Sequence, residues 1–166
     1  MSQLDGDAVV SSGPYFRSFE DHLETALWVY SQRRYALFCY MVATAAEMAG
    51  GGLLILEQIE ADNDAIRNKY GHSVRGIFER LAKENIVTDK DADDIFTVVV
   101  DANLSERSRG RKYEQDYGAN IFKFPYKHMQ RGWPTDWVDK EYAETIFRKV
   151  IPVLQKMPAS VQTQKS

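Results

Sequence analysis

Apolar residues recur at intervals of three and four along the chain, beginning at Phe16. The first such series predicts a helix over residues 16–32, because this spacing places its members on one helical face. Those members are Phe16, Phe19, Leu23, Ala26, Leu27 and Tyr30. The next stretch, Tyr35 to Leu56, is apolar almost all round, with Glu47 as its only charge. We therefore predict that residues 35–56 form the central, most buried helix.

This second stretch is long enough to cross a membrane, but its composition favours a soluble core. It carries Tyr35, Tyr40, Thr44, Glu47 and three consecutive glycines, and other amphipathic segments are available to cover it. Each of Gly50, Gly51 and Gly52 would cost a helix interior about 1 kcal/mol relative to alanine. We expect either that the helix breaks there or that another backbone packs against that face.

The remaining periodic segments predict three more helices. One runs over residues 73–85 and turns Val74, Ile77, Phe78 and Leu81 inward. The next opens at a capping box made by Thr88 and Asp91, and its inward residues would be Ile95, Val98, Val99 and Ala102. The last covers residues 139–156, where apolar residues follow at steps of four, and Pro152 should kink it or end its regular part early.

Residues 95–100 leave two structures open. The run is β-branched and aromatic, so a buried strand is possible. The acidic entry Asp91 to Asp94 and the lack of a pairing partner favour a helix. Together the patterns predict an all-α fold, an up-and-down bundle of about five helices, in one domain over residues 15–157. Residues 1–14 and 158–166 are polar and aperiodic, which predicts disordered tails.

Composition adds few constraints. The 166 residues suit one domain, and the net charge of −3 argues against a globally basic nucleic-acid coat. Cys39 is the only cysteine, so no intramolecular disulfide can form. The first fifteen residues lack the basic and apolar regions of a signal peptide. We expect a cytoplasmic protein with no membrane partner.

The charge is unevenly distributed, since residues 105–133 contain seven Lys or Arg against three acids. Aromatic residues are interleaved with these cations, an arrangement that suits RNA or a nucleotide because cations meet phosphate while rings stack on bases. The alternative is a solvated helix end followed by a loop whose aromatics pack into the bundle. The candidate nucleic-acid-binding residues are Arg107, Arg109, Arg111, Lys112, Lys123 and Lys127.

Metal chemistry finds little support in the sequence. The histidines are His22, His72 and His128, and no Glu-x-x-His occurs, which removes the carboxylate-bridged di-iron bundle. One cysteine and three scattered histidines give no zinc-ligand spacing. No nucleophile-elbow motif is present either. We predict neither a metal nor a cofactor.

Two Arg-x4-His matches occur, Arg17 to His22 and Arg67 to His72. A histidine can take a proton from a ribose 2′-hydroxyl while an arginine stabilises the charge that develops on phosphate, and no metal is needed. For the first pair the alternative is a solvated face of helix one, and for the second a polar turn before Ser73. On a continuous helix, residues five apart differ by about 140° around the axis. Convergence of Arg67 and His72 therefore requires the reach of Arg67, a break at Gly71 or a dimer mate.

The order of these elements resembles a HEPN (higher eukaryotes and prokaryotes nucleotide-binding) domain over residues 16–157. The resemblance rests on a first amphipathic helix, a Tyr/Ala-rich buried helix at 35–56 and the Lys69-Tyr70-Gly71-His72 start of a short helix. It continues with an Arg/Tyr segment at 107–117 and a last helix that opens in the acidic stretch 139–144.

The resemblance implies a helical bundle that often dimerises and that acts in many members as a metal-independent ribonuclease of toxin or phage-defence systems. Such members use an Arg-x4-6-His motif near the dimer seam, and Arg67 and His72 match its Arg-Asn-x3-His form. In catalytic members the motif usually lies later, near where residues 107–117 lie here, and no histidine has the required spacing there. A non-catalytic homo-oligomeric bundle that binds nucleotide, RNA or a partner protein is therefore the alternative.

Overall fold

The computed structural model describes residues 6–100, 118–122 and 131–158, and within them it contains seven α-helices and no β-strand. The all-α prediction is confirmed for this part of the chain, whereas the helix count exceeds the predicted five. The helices are α1 (Gly6–Ser31), α2 (Tyr35–Leu56), α3 (Asn63–Tyr70), α4 (Val74–Lys83), α5 (Asp89–Phe96), α6 (Pro134–Trp137) and α7 (Lys140–Gln155). A short 3-10 helix, Gly118–Phe122, lies between α5 and α6 in the chain.

Helix α2 is the centre of the fold, as predicted, and its bounds match the predicted ones. It contacts α1, α4, α6, α7 and the 3-10 helix. Of the described helices it alone is long and apolar enough to span a membrane, and 72% of its most apolar window is buried inside the protein. The other helices of the chain thus cover α2, as is usual for the core helix of a soluble domain.

Helices α1 and α2 form an antiparallel hairpin that closes through a turn at residues 32–34, where Arg33 has a φ of 59°. Near the turn the ring of Tyr30 packs on Phe38 at a centroid distance of 4.9 Å and on Phe147 of α7 at 4.6 Å. At the far end the buried ring of Phe16 lies against Gly52. The hairpin therefore brings the first turns of α1 to the last turns of α2.

The predicted N-terminal tail is too long, because α1 begins at Gly6 rather than near residue 15. Ala8 and Ser12 are buried, and Val9 packs against the core. The Ser12 hydroxyl donates to the Val9 carbonyl at 3.0 Å, so the polar residue is satisfied inside the helix. Residues 6–13 are mostly small or polar and show no helical apolar period, so the sequence pattern did not predict the start of α1. The predicted tail at 158–166 lies outside the described residues, apart from Pro158.

The three glycines of α2 do not break the helix. They are contacted by side chains rather than by the backbone that we expected. A Cβ at Gly50 would lie 2.5 Å from Ile77 Cγ2 and 2.9 Å from Phe78 Cε2. A Cβ at Gly51 would collide with the ring of Tyr15. The glycines thus let α1 and α4 approach the core helix closely.

The two structures considered for residues 95–100 are both wrong beyond Phe96. Helix α5 ends there, and the chain continues through two turns in which Val98 and Val99 donate backbone hydrogen bonds to residues three positions earlier. Val98 and Val100 remain buried. The β-branched residues supply core packing without a helical backbone, since their χ1 is restricted in a helix. The Thr88 cap is confirmed: its hydroxyl accepts from Asp91 N at 3.0 Å.

Helix α7 runs past Pro152 to Gln155, so the proline does not end it early. Its first turn is capped by Asp139, whose carboxylate accepts from Tyr142 N at 2.8 Å. The predicted count missed α3 and α6 because both are short. Only Ile66 and Tyr70 are buried in α3, and α6 is a single turn with proline near its start.

Candidate functional site

The segment that carries Arg67 and His72 is broken at Gly71. Asp62 caps the start of helix α3, and its side chain accepts from Ala65 N at 2.9 Å. Gly71 follows the last residue of α3 and has a φ of 58°, a left-handed conformation that suits glycine because it has no Cβ. Ser73 caps the start of α4, and its hydroxyl accepts from Gly76 N at 2.9 Å. Arg67 is thus on α3, and His72 lies in the turn that leads into α4.

His72 is paired with the one charged residue of the central helix. Its Nδ1 lies 2.9 Å from Glu47 Oε1. Because a carboxylate accepts, Nδ1 carries the proton and donates in this bond. The Glu47 side chain is 12% exposed and the His72 side chain 57%. A nearly buried carboxylate therefore orients an imidazole that is more than half exposed.

A cleft of about 510 Å³ brings these groups together. Three regions of the fold form it: the first turns of α1, the middle of α2, and α3 with the turn that follows it. Its polar walls carry Tyr15, Glu47, Asn63, Arg67 and His72, and its apolar walls carry Pro14, Met48 and Ile66. This volume falls in the range of small-ligand sites. One chain thus places both residues of the Arg67–His72 pair at a single concave surface.

Tyr15 supplies a second hydroxyl-bearing group to the cleft. Its Oη donates to Asn63 Oδ1 at 2.5 Å. Burial of the ring and the neighbouring Glu47 and Asp62 carboxylates raise the pKa of Tyr15 above its usual range, while Arg67 acts in the opposite sense. The phenol therefore keeps its proton at neutral pH and acts as a hydrogen-bond donor.

A buried carboxylate fixes the α3 end of this segment. Glu60 is 6% exposed, and its Oε1 accepts from Lys69 Nζ at 2.7 Å and from Tyr70 Oη at 2.8 Å. Burial by itself raises the pKa of Glu60, but the hydrogen bonds from Lys69 and Tyr70 outweigh it, so that pKa lies below its usual range. Two of the four residues between Arg67 and His72 are thus anchored to the α2–α3 connection.

The other Arg-x4-His pair is not brought together in this way. Arg17 and His22 both lie within the continuous helix α1. His22 Nδ1 is 2.7 Å from the Ser18 carbonyl of its own helix, which satisfies this ring nitrogen locally. Arg17 and His22 therefore lie on a face of α1, as the alternative interpretation of this pair predicted.

The predicted nucleic-acid-binding cations, Arg107, Arg109, Arg111, Lys112, Lys123 and Lys127, lie outside the described residues. Phe122 and Arg131 of the same segment lie within the described residues. Phe122 is buried and packs on Trp137 and Tyr142 at centroid distances of 5.6 and 6.3 Å, so this aromatic is a core residue. The Arg131 guanidinium lies 5.2 Å from the centroid of Trp137. At Phe122 the alternative interpretation, in which the aromatic residues of this segment pack into the bundle, is confirmed.

Glu47 and Tyr15 are polar residues of the cleft that the sequence did not mark as site residues. Glu47 had a signal, because a lone carboxylate in an apolar helix needs a partner. Tyr15 had none, since it lies between the predicted N-terminal tail, residues 1–14, and the predicted first helix, residues 16–32. Among the described residues no group of three or more His, Cys, Asp or Glu is placed to hold a metal ion.

Comparisons with known proteins leave the cleft as the main guide to function: no protein-family model, no curated protein and no solved structure matches the chain.

Proposed function

We propose that the chain is an RNA-binding bundle of HEPN-like type whose cleft cleaves RNA without a metal ion. The observation that carries this proposal is the meeting of Arg67 and His72 in one cleft, with Glu47 on the Nδ1 of His72. Proximity alone would be a weak argument. A carboxylate that orients a half-exposed histidine, in a cleft that an arginine also lines, suits general base catalysis on a phosphodiester.

In the proposed reaction, Nε2 of His72 takes the proton of a ribose 2′-hydroxyl. The 2′-oxygen then attacks the adjacent phosphorus, and the bond from phosphorus to the 5′-oxygen breaks. The leaving 5′-oxygen takes a proton from water, so the products are a 2′,3′-cyclic phosphate and a 5′-hydroxyl end. Arg67 stabilises the negative charge that builds on the phosphoryl oxygens, and Glu47 stabilises the imidazolium that forms.

The remaining parts of the proposal concern partners. The six cations of residues 107–127 would bind the RNA backbone, and such binding weakens steeply as salt rises. The resemblance also implies a homodimer. The alternative function is a non-catalytic homo-oligomeric module that binds nucleotide, RNA or a partner protein. A measurement of RNA cleavage separates the two.

The test is cleavage of single-stranded RNA in EDTA, with His72→Ala and Arg67→Ala as variants. The chain supplies a matched control in His22→Ala and Arg17→Ala, which remove the same residue types at the same spacing from a continuous helix. We expect the cleft variants to lose about 100-fold or more of the rate, the usual contribution of general acid–base catalysis, and the control variants to keep it. Wild-type protein that binds RNA without cleaving it would support the non-catalytic alternative.

A further inference from the structure

We propose that Tyr15 is a ligand-binding residue of the cleft, whose hydroxyl donates a hydrogen bond to the phosphate of a nucleotide. This inference rests on the proposed function and adds a residue and a ligand contact to it. Tyr15 lines the same cleft as Arg67 and His72, although it lies 52 residues before Arg67 in the chain. It therefore gives the site a neutral donor from a third region of the fold.

The ring of Tyr15 is held in place by the helix behind it. A Cβ at Gly51 would collide with Tyr15 Cε1 and Cδ1, so the ring lies directly on the backbone of α2. The hydroxyl is fixed at its other end by Asn63, the first residue of α3. A donor fixed at both ends loses little conformational freedom when a ligand binds.

Arg67 is the cation beside Tyr15 that would attract an anionic ligand. Two carboxylates, Glu47 and Asp62, also act on the phenol, but Glu47 is paired with His72 and Asp62 accepts from Ala65 N. Like an ordinary phenol, the hydroxyl keeps its proton at neutral pH, and burial raises its pKa further, so it is a donor rather than an anion that would repel phosphate. Its present acceptor, the Asn63 amide oxygen, is neutral and lies at an exposed position. A phosphate oxygen is the stronger acceptor, because charge-assisted hydrogen bonds are roughly twice as strong as neutral ones.

The experiment is calorimetric titration of uridine 3′-monophosphate in EDTA into the wild type, Tyr15→Phe and Asn63→Ala. Phenylalanine keeps the ring on Gly51 and removes only the hydroxyl. Asn63→Ala breaks the same Tyr15–Asn63 bond but leaves the hydroxyl, so it isolates a merely structural role of that bond. Tyr35→Phe, at the opposite end of α2, controls for the loss of a tyrosine hydroxyl elsewhere, and thermal melts check that each variant is folded.

We expect Tyr15→Phe to weaken binding about tenfold or more, since a hydrogen bond to a charged group is lost. Tyr35→Phe should change the dissociation constant less than about twofold. Asn63→Ala should weaken binding less than Tyr15→Phe does, because it loosens the position of the hydroxyl but leaves the donor in the cleft. Equal weakening by Tyr15→Phe and Asn63→Ala would overturn the proposal, as would unchanged binding in Tyr15→Phe or no binding by the wild type. Binding that depends on Tyr15 without any RNA cleavage would leave this inference standing and refute the catalytic function.

Discussion

Gly50→Ala should destabilise the protein, although alanine is the better helix former. The substitution gains about 1 kcal/mol of intrinsic helix propensity. Its Cβ, however, would lie 2.5 Å from Ile77 Cγ2 and 2.9 Å from Phe78 Cε2, and both of these side chains are fully buried. Carbon atoms pack best at about 3.5–4.0 Å, so the contact with Ile77 is short by about 1 Å.

Relief of that overlap requires α4 to move away from α2 or Ile77 to leave its rotamer. Overpacking of this kind costs about 1–3 kcal/mol. We expect a net loss of about 1 kcal/mol, with the gain in propensity already subtracted. For a chain of this size that loss lowers Tm by about 2–4 °C.

Gly13→Ala is the matched control, since Gly13 is also inside a long helix. The nearest atom to its Cβ would be Arg17 Nη1 at 3.2 Å, the far end of a flexible side chain. Alanine gains helix propensity at this position, but Pro14 disfavours helical backbone for a preceding residue that has a Cβ, so the free energy of unfolding should stay within about 0.5 kcal/mol of the wild-type value. Urea unfolding and thermal melts of both variants measure the difference. If Gly50→Ala left Tm unchanged, as Gly13→Ala should, the close packing of α4 on α2 would be refuted.

Three further variants test the segment around the cleft and the helix caps. Glu60→Gln should cost about 1–2 kcal/mol at pH 7, because Lys69 and Tyr70 lose an anionic acceptor. Since the folded-state pKa of Glu60 is depressed, its contribution is present above the unfolded-state pKa and is lost as the pH falls through the folded-state one. The difference in the free energy of unfolding between wild type and Glu60→Gln, measured with urea, should therefore become smaller below about pH 4. A difference that stays constant with pH would contradict the role given to the Glu60 carboxylate. Thr88→Ala should cost about 1 kcal/mol in the same assay through loss of the α5 cap, whereas Thr25→Ala on the exposed face of α1 should cost less. Gly71→Ala should lower the free energy of unfolding by about 1–2 kcal/mol, because alanine is strained in the left-handed backbone conformation at this position. An unchanged Tm would refute that strain.

The sequence predicted the core helix well because its signal is strong. Every turn from Tyr35 to Leu56 is apolar, so the helix and its burial follow from composition alone. Short elements escaped the same reasoning. Helix α3 buries only Ile66 and Tyr70, too few residues to establish a period. The turns after Phe96 use β-branched residues as packing, which local propensity cannot tell from a helix or a strand.

The candidate site was predictable in part. Arg67 and His72 were selected by motif, and Gly71 supplies the break that their convergence required. The Glu47–His72 hydrogen bond joins residues 25 positions apart, so it depends on the packing of the α3–α4 turn against α2. No periodic pattern encodes such a contact. Tyr15 depends in addition on the length of α1, which the small residues before it concealed.

The central claim is that Glu47 acts through His72, and a double-mutant cycle on RNA cleavage in EDTA tests it most directly. Glu47→Gln alone should slow cleavage about 10–100-fold, in line with the loss of a residue that orients a functional histidine. In a His72→Ala background the same substitution should change the rate less than about twofold, because residues that act as a unit are not additive. Rate losses that multiply would contradict the account, since Glu47 would then act independently of His72.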